Sequence, residues 1–246
     1  MTENLIEKGT KFDVLDKGYV IFHDALGDDL TPVNAARVSH DNKSDELSEG
    51  DRRLLAFLAR EGHSSPFRHA IIQLEVYSPL MVARQWWKYI VGSTFMEAPV
   101  GDTMNAWNES SRRYVKEIPT FYTPSSTEWR SKPKGSVKQG SGDCLPAKQG
   151  VYLTESLIEY YDDGVRLYEK ALEEGVAAEQ ARLFLPANGM YVRYYWTASL
   201  QSMAHFVQQR MADDAQKEIR EYAKVILEII KGRFPVSTSE LLKEVE

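Results

Sequence analysis

The alternation of apolar and polar positions changes period several times along the chain, and each change predicts an element. Lys11 to Val20 reads as a short strand. Leu30-Thr31-Pro32 then opens a helix through Val33 to Ser39, with Thr31 as N-cap and proline at the first helical position, where its missing N–H is not needed. A second helix is predicted from about Ser48 to Arg60, with Leu54, Leu55, Phe57 and Leu58 on one side and Gly62 as its stop. Ile72, Leu74 and Val76 alternate with Gln73, Glu75 and Tyr77, the period of a strand with one buried face, and Pro79 begins an apolar helix reaching about Val91. Gly92 to Ala106 has no clear period and reads as a loop or insertion, and Lys132 to Gly142 is richer still in turn formers. Helical spacing returns from Gly150 to Glu174, capped by Gly175, and a short helix runs from Ala177 to Leu185 ahead of Pro186. Met190 to Thr197 is aromatic and β-branched enough for a strand, and helices follow at about Ser199–Met211, Asp214–Lys231 and Ser237–Lys243.

No internal repeat and no linker divides these elements. The pattern predicts one α+β domain over residues 1–246, a mixed or antiparallel sheet flanked by helices. With 43% hydrophobic and 11% aromatic residues, the chain can bury a substantial core. The formal net charge of -6 leaves no chain-wide positive field for duplex DNA or an anionic membrane, so an anionic ligand must be held by local basic residues. The most apolar stretch, Ala70 to Ala83, is too short to span a bilayer, and the N-terminal residues lack the regions of a signal peptide, so cytoplasmic residence is expected. Cys144 is the single cysteine, which excludes an intramolecular disulfide and a multi-cysteine metal site, so redox chemistry would need a cofactor.

Candidate chemistry comes from unusual clusters, because the common signatures are missing. There is no glycine-rich dinucleotide fingerprint after a strand, no Walker lysine loop and no histidine pair at zinc-protease spacing. Cys144 lies in a Gly-rich stretch with nothing beside it to form a thiolate, and it reads as non-catalytic. Trp107-Asn108-Glu109-Ser110-Ser111-Arg112-Arg113-Tyr114 packs an acid, two hydroxyls and two guanidiniums between aromatics, groups that suit a phosphate monoester; the plainer reading is a charged surface turn. Arg84 and Lys88 share a helical face, with Gln85 and Tyr89 on the next. Arg182 sits among apolar residues, either snorkelling or serving a buried anion, and Arg210 falls where a helical pattern pauses, with Asp213 and Asp214 as alternative partners.

Taken together and in order, these segments resemble the flavin-dependent thymidylate synthases. The resemblance runs through Ala35-Ala36-Arg37-Val38-Ser39, His63-Ser64-Ser65-Pro66-Phe67-Arg68-His69, Val82-Ala83-Arg84-Gln85-Trp86-Trp87 and Asn108-Glu109-Ser110-Ser111-Arg112-Arg113-Tyr114. It continues through Phe121-Tyr122-Thr123-Pro124, Lys138-Gln139-Gly140-Ser141, Ala181-Arg182-Leu183-Phe184-Leu185-Pro186 and the segment from Arg210 to Ile219. The resemblance implies a homotetramer with active sites at subunit interfaces. It implies FAD reduced by NADPH, methylenetetrahydrofolate as carbon donor, and dUMP methylated to dTMP without a cysteine nucleophile. Arg210 corresponds to the catalytic arginine that holds the uracil. Gln85, Lys88, Glu109, Ser110, Ser111, Arg112, Arg113 and Arg182 correspond to dUMP contacts, and Ser65, Lys88, Tyr89, Ile90, Glu109, Ser199 and His205 to FAD contacts.

The chain departs from the family's Arg-His-Arg signature, which is followed by seven residues and a serine. Lys88-Tyr89-Ile90 stand in its place, and residues 91–106 read as an insertion before Ser111. Lys88 keeps a charge without the bidentate fork, Tyr89 can still hydrogen-bond and stack, and Ile90 can do neither polar task. Two other readings retain the same nucleotide residues: a flavin-dependent dUMP hydroxymethylase, and a catalytically silent nucleotide-binding homologue.

Overall fold

Nine consecutive pairs between two central strands set the frame of the fold. The computed structural model describes residues 6–40, 42–89, 106–110, 118–134 and 140–243. Its strands are β1 (Lys11–Val14), β2 (Gly18–Leu26), β3 (Ile71–Pro79), β4 (Ala106–Glu109) and β5 (Tyr191–Ser199), in spatial order β1-β2-β3-β5-β4. All the pairings are antiparallel, and β3 and β5 pair from Ile71↔Ser199 to Pro79↔Tyr191. The helices are α1 (Leu30–Arg37), α2 (Glu49–Arg60), α3 (Leu80–Trp86), α4 (Ala147–Glu173), α5 (Ala178–Ala181), α6 (Leu200–Arg210), α7 (Lys217–Arg233) and α8 (Pro235–Leu241). The fold is α+β, as the periodicity predicts.

Alternation puts Val20 and Phe22, then Ile72, Leu74 and Val76, then Tyr194, Trp196 and Ala198 on one fully buried face of the sheet. Helices α3, α6 and α7 cover that face. At its centre Trp86 stacks on Phe206 with centroids 4.6 Å apart and meets Trp196, Tyr194 and Tyr222 edge-on. Such offset and perpendicular ring contacts add specificity to a large apolar burial. Helix α4 packs on a separate, smaller cluster of Phe121, Tyr161 and Leu185 and leaves Val151, Tyr152, Ile158 and Tyr160 exposed.

Several boundaries differ from the sequence reading, each for a tertiary reason. Lys11 to Val20 is a hairpin corner and not one strand. The chain reverses at Leu15, whose φ is +59°, and Asp16 accepts a 2.6 Å hydrogen bond from the Tyr191 hydroxyl while Lys17 donates to the Phe121 carbonyl. A Cβ on Gly18 would lie 2.0 Å from the Tyr222 hydroxyl, so the returning strand needs glycine there. Asp29, not Thr31, holds the N-cap position of α1. Its carboxylate accepts from the backbone N–H groups of Val236 and Ser237 at 2.9 and 2.8 Å, serving the first turn of α8. The α2 boundary agrees with the reading, with a capping box formed by Ser48 and Asp51. Helix α3 ends at Trp86, short of Val91, and the short helix after Ala177 divides into α5 and a single 3-10 turn. Strand β4 is unforeseen: the pattern predicts loop through Ala106 and a phosphate-suited cluster or surface turn from Trp107, with no strand, yet Trp107 stacks on Tyr194 at 3.9 Å and pairs with Trp196. Four residues are too few to display a period.

Trp86→Ala is expected to lower the unfolding free energy by about 3–5 kcal/mol, because a large void opens where four aromatic rings converge. Denaturant unfolding monitored by circular dichroism measures it, and a loss under about 1 kcal/mol would show that the cluster can collapse into the space.

Candidate active site

The turn from β3 into α3 is pinned by two backbone hydrogen bonds, from Leu80 to the Met190 carbonyl and from Met81 to that of Asn188. Consecutive residues of a helix point about 100° apart, so Arg84 and Gln85 face different spaces. Gln85 lines a cavity of about 660 Å³ with Arg130, Ser141, Gln208, Arg210 and Gln216. Arg84 lines another of about 270 Å³ with Trp87, Trp107 and Glu109.

Arg210, the last residue of α6, dominates the larger cavity. Its guanidinium lies 5.0 Å from the centroid of the Tyr89 ring, a cation–π arrangement. Its Nε is buried with no hydrogen-bond partner among the described residues. The loop that follows is held by Arg220, which donates to the carbonyls of Asp213 and Ala215 at 2.7 and 2.8 Å. Burial raises the Tyr89 phenol pKa, while the Arg210 charge and a hydrogen bond from Arg210 oppose the shift. Tyr89 stays a neutral phenol at ordinary pH.

A third cavity, of about 220 Å³, adjoins the first through the shared Gln208 and is lined by His63, Ser64, Phe67, Gln201 and His205. The His205 and Tyr89 rings lie 5.7 Å apart, and Tyr89 is the ring beside Arg210. Burial lowers the His205 pKa and favours the neutral imidazole. The side-chain oxygen of Gln201 is buried with no donor to it among the described residues. Ser65 is exposed on the short turn next to Ser64. Ser199 is fully buried, and its hydroxyl caps α6 by accepting from the Ser202 N–H.

The remaining expected residues lie apart from this group. Lys88 is exposed beside Trp87. Glu109 ends β4, and Ser110 donates its N–H to the Arg193 carbonyl at 2.8 Å. The Glu109 side chain reaches solvent, but desolvation by the flanking protein raises its carboxyl pKa against a hydrogen bond from the Trp107 indole. Arg182 is exposed, with its Nε donating to the Glu179 carbonyl at 3.1 Å, and neighbouring Leu183 and Phe184 are exposed too. The Arg182 guanidinium reaches the surface, the snorkelling arrangement of the two the sequence allows. Ile90, Ser111, Arg112 and Arg113 lie outside the described residues, as does the 91–106 insertion except for Ala106, which opens β4.

Sequence reasoning assigns no role to three residues at or behind the larger cavity: Arg130 and Gln216, which line it, and Glu218, which holds both. Glu218 is 3% exposed, and its carboxylate accepts from Arg130 at 2.7 Å, Gln216 at 2.8 Å and the Tyr122 hydroxyl at 3.3 Å. Burial alone would raise its pKa, but the hydrogen bonds from Arg130 and Gln216 and the Arg130 charge outweigh it and hold the carboxyl below the usual range. The signal for Gln216 and Glu218 lay within the segment from Arg210 to Ile219, while Arg130 has no distinguishing sequence context.

A family profile described as thymidylate synthase complementing protein matches residues 21–236. The chain is 35% identical over 233 residues to the flavin-dependent thymidylate synthase of Thermotoga neapolitana, covering 95% of this chain and 94% of that one. It is 36% identical over 224 residues to the enzyme of the same name from Thermus thermophilus, covering 91% of this chain and 75% of that one. Among solved structures, a UMP/dUMP methylase, PolB, from Streptomyces cacaoi bound with 5-Br dUMP superimposes with a TM-score of 0.77 at 25% identity, covering 94% of this chain and 97% of that one.

The lowered His205 pKa has a measurable sign. Between the depressed folded value and the ordinary value of about 6.5, the unfolded chain binds a proton that the folded chain refuses. Stability is therefore expected to decline as pH falls below about 6.5, and His205→Gln is expected to flatten that decline. Parallel declines in the two proteins, measured by denaturant unfolding across pH, would assign the effect to another group.

Proposed function

The chain belongs to the family of flavin-dependent thymidylate synthases, and from that membership we propose that it methylates dUMP to dTMP. The carbon donor is methylenetetrahydrofolate, the reductant NADPH, and the cofactor FAD. The observation that carries the proposal is the shared cavity in which Gln85 and the Arg210 guanidinium meet, next to the space lined by His205 and Gln201.

The residues of the adjoining space fit a flavin. The unpaired Gln201 oxygen matches a ring N–H donor, the neutral His205 adds no charge that would need pairing, and Phe67 and His205 offer flat surfaces for a planar ring. His63, Ser64, Gln201 and His205 would hold it. When bound, the flavin supplies the electrons that reduce the transferred one-carbon unit.

The chain's own part is positioning and electrostatics. Arg210 keeps a fixed positive charge against the pyrimidine, where negative charge develops as C5 becomes nucleophilic. A cation held in place beforehand stabilises that charge without rearranging. Gln85 orients the nucleotide, and no enzyme nucleophile is required, consistent with Cys144 lying exposed in its loop. Glu109, Ser110, Ser111, Arg112, Arg113 and Arg182 complete dUMP binding from other subunits of a homotetramer. Two observations support that assembly: Arg182 and Glu109 stand away from the Arg210 cavity in one protomer, and α4 exposes an apolar stripe that a partner can cover.

The test is an anaerobic reaction of the purified protein with FAD, NADPH, dUMP and methylenetetrahydrofolate, with the nucleotide product identified by mass. FAD-dependent dTMP is expected. Hydroxymethyl-dUMP would reassign the chain as a hydroxymethylase, and no product despite bound nucleotide would make it a silent binding protein. In the same assay Arg210→Ala is expected to lower turnover by about 10²–10³ while assembly and bound flavin persist. Cys144→Ser is expected to retain full turnover, and an inactive, folded Cys144→Ser protein would overturn the mechanism.

A further inference from the structure

We infer that Glu218 and Gln216 are positioning residues that fix, through a relay of amides, which end of Gln85 faces the nucleotide cavity. The inference rests on the assignment of that cavity to dUMP. The relay is a line of hydrogen bonds: Gln85 Nε2 donates to Gln216 Oε1 at 2.6 Å, and Gln216 Nε2 donates to a Glu218 oxygen at 2.8 Å. Arg130 and the Tyr122 hydroxyl hold the other carboxylate oxygen at 2.7 and 3.3 Å.

The sense of this line follows from donor chemistry. An ionised carboxylate only accepts, and Glu218 is kept ionised by Arg130 and Gln216 despite its burial. Gln216 must therefore turn its nitrogen toward Glu218, which leaves its oxygen toward Gln85. Gln85 must answer with its own nitrogen. Either amide alone could face both ways, since the two ends are nearly the same size. A charge two links away removes that freedom.

The consequence falls on the cavity wall. One Gln85 N–H is committed to Gln216 and the other is held only by a 3.3 Å bond to the Met81 carbonyl. Gln85 thus offers the nucleotide its Oε1 and at most one loosely held N–H, in a fixed orientation, opposite the donors of Arg210. A side chain held in advance spares the ligand the cost of ordering it. Gln216 does this from the cavity wall beside Gln85, and Glu218 from outside the cavity, since it is not among the lining residues.

A double-mutant cycle on the FAD-loaded full-length protein tests the relay. Gln216→Met keeps the volume, removes the relay and leaves the Arg130–Glu218 pair intact. It is expected to weaken dUMP binding about three- to tenfold, the worth of one well-placed hydrogen bond, raising KM for dUMP with kcat at saturating dUMP within about twofold. Glu218→Gln, which lets the relay face either way, is expected to act in the same direction. On a Gln85→Leu background the Gln216→Met effect should shrink to less than about 1.5-fold, since residues acting through one another are not additive. An equal loss on both backgrounds, or no loss on the first, would overturn the relay and give Gln216 a merely structural role. Failure of the unaltered protein to bind dUMP would overturn the nucleotide assignment itself, and the relay's role with it.

Discussion

A carboxylate taken out of water must be compensated at every oxygen, and the compensation of Glu218 ties together two segments far apart in sequence. Arg130 and Tyr122 come from the segment before α4, and Gln216 from the loop between α6 and α7. Neither of these segments is regular enough to place itself. Such a pair adds little net stability, because desolvation consumes most of the Coulombic gain. What it confers is specificity of arrangement, since any other course of these loops would strand a buried charge.

Around that anchor, α3 acts as a divider. It is short and begins where β3 ends, so its direction is inherited from the sheet, and its successive side chains are distributed among different spaces. Trp86 points into the aromatic core, Gln85 toward Arg210, and Arg84 toward Glu109. Gln85 and Glu109, both expected at the nucleotide by resemblance, thereby line different cavities. The proposed assembly answers that separation by bringing copies of the chain together. The exposed Tyr152 and Ile158 of α4, with Leu183 and Phe184 beside Arg182, are the apolar surface such an assembly would bury.

What the sequence made legible was what local periodicity encodes. The alternation around Ile72 to Val76, the capping box at Ser48 and the glycine after α4 each appear where the pattern placed them. The errors occur where a distant partner overrides local chemistry. Asp29 lends its carboxylate to α8 and leaves its own helix without a side-chain cap, and the turn at Leu15 is stabilised by Tyr191 and Phe121, far away in sequence. The same division holds for the site. Arg210, Gln85 and His205 were identified by resemblance and lie in adjoining cavities, whereas Arg130 was invisible because its importance resides in a partner 88 residues away.

The departure at Lys88-Tyr89-Ile90 also gains a physical meaning. Where the family signature carries an imidazole, this chain has a phenol whose ring supports the Arg210 guanidinium on one side and leans on His205 on another. Its backbone carbonyl accepts from the Ser202 hydroxyl at 2.9 Å, which locks the end of the α3 turn onto α6. A phenol kept neutral by burial adds no charge to compete with Arg210, and its π face attracts the cation that an imidazolium would repel. The substitution therefore exchanges a titratable contact for a stacking one. Tyr89 thus sits between Arg210 and His205, and the support it gives the guanidinium does not depend on a titration near neutral pH.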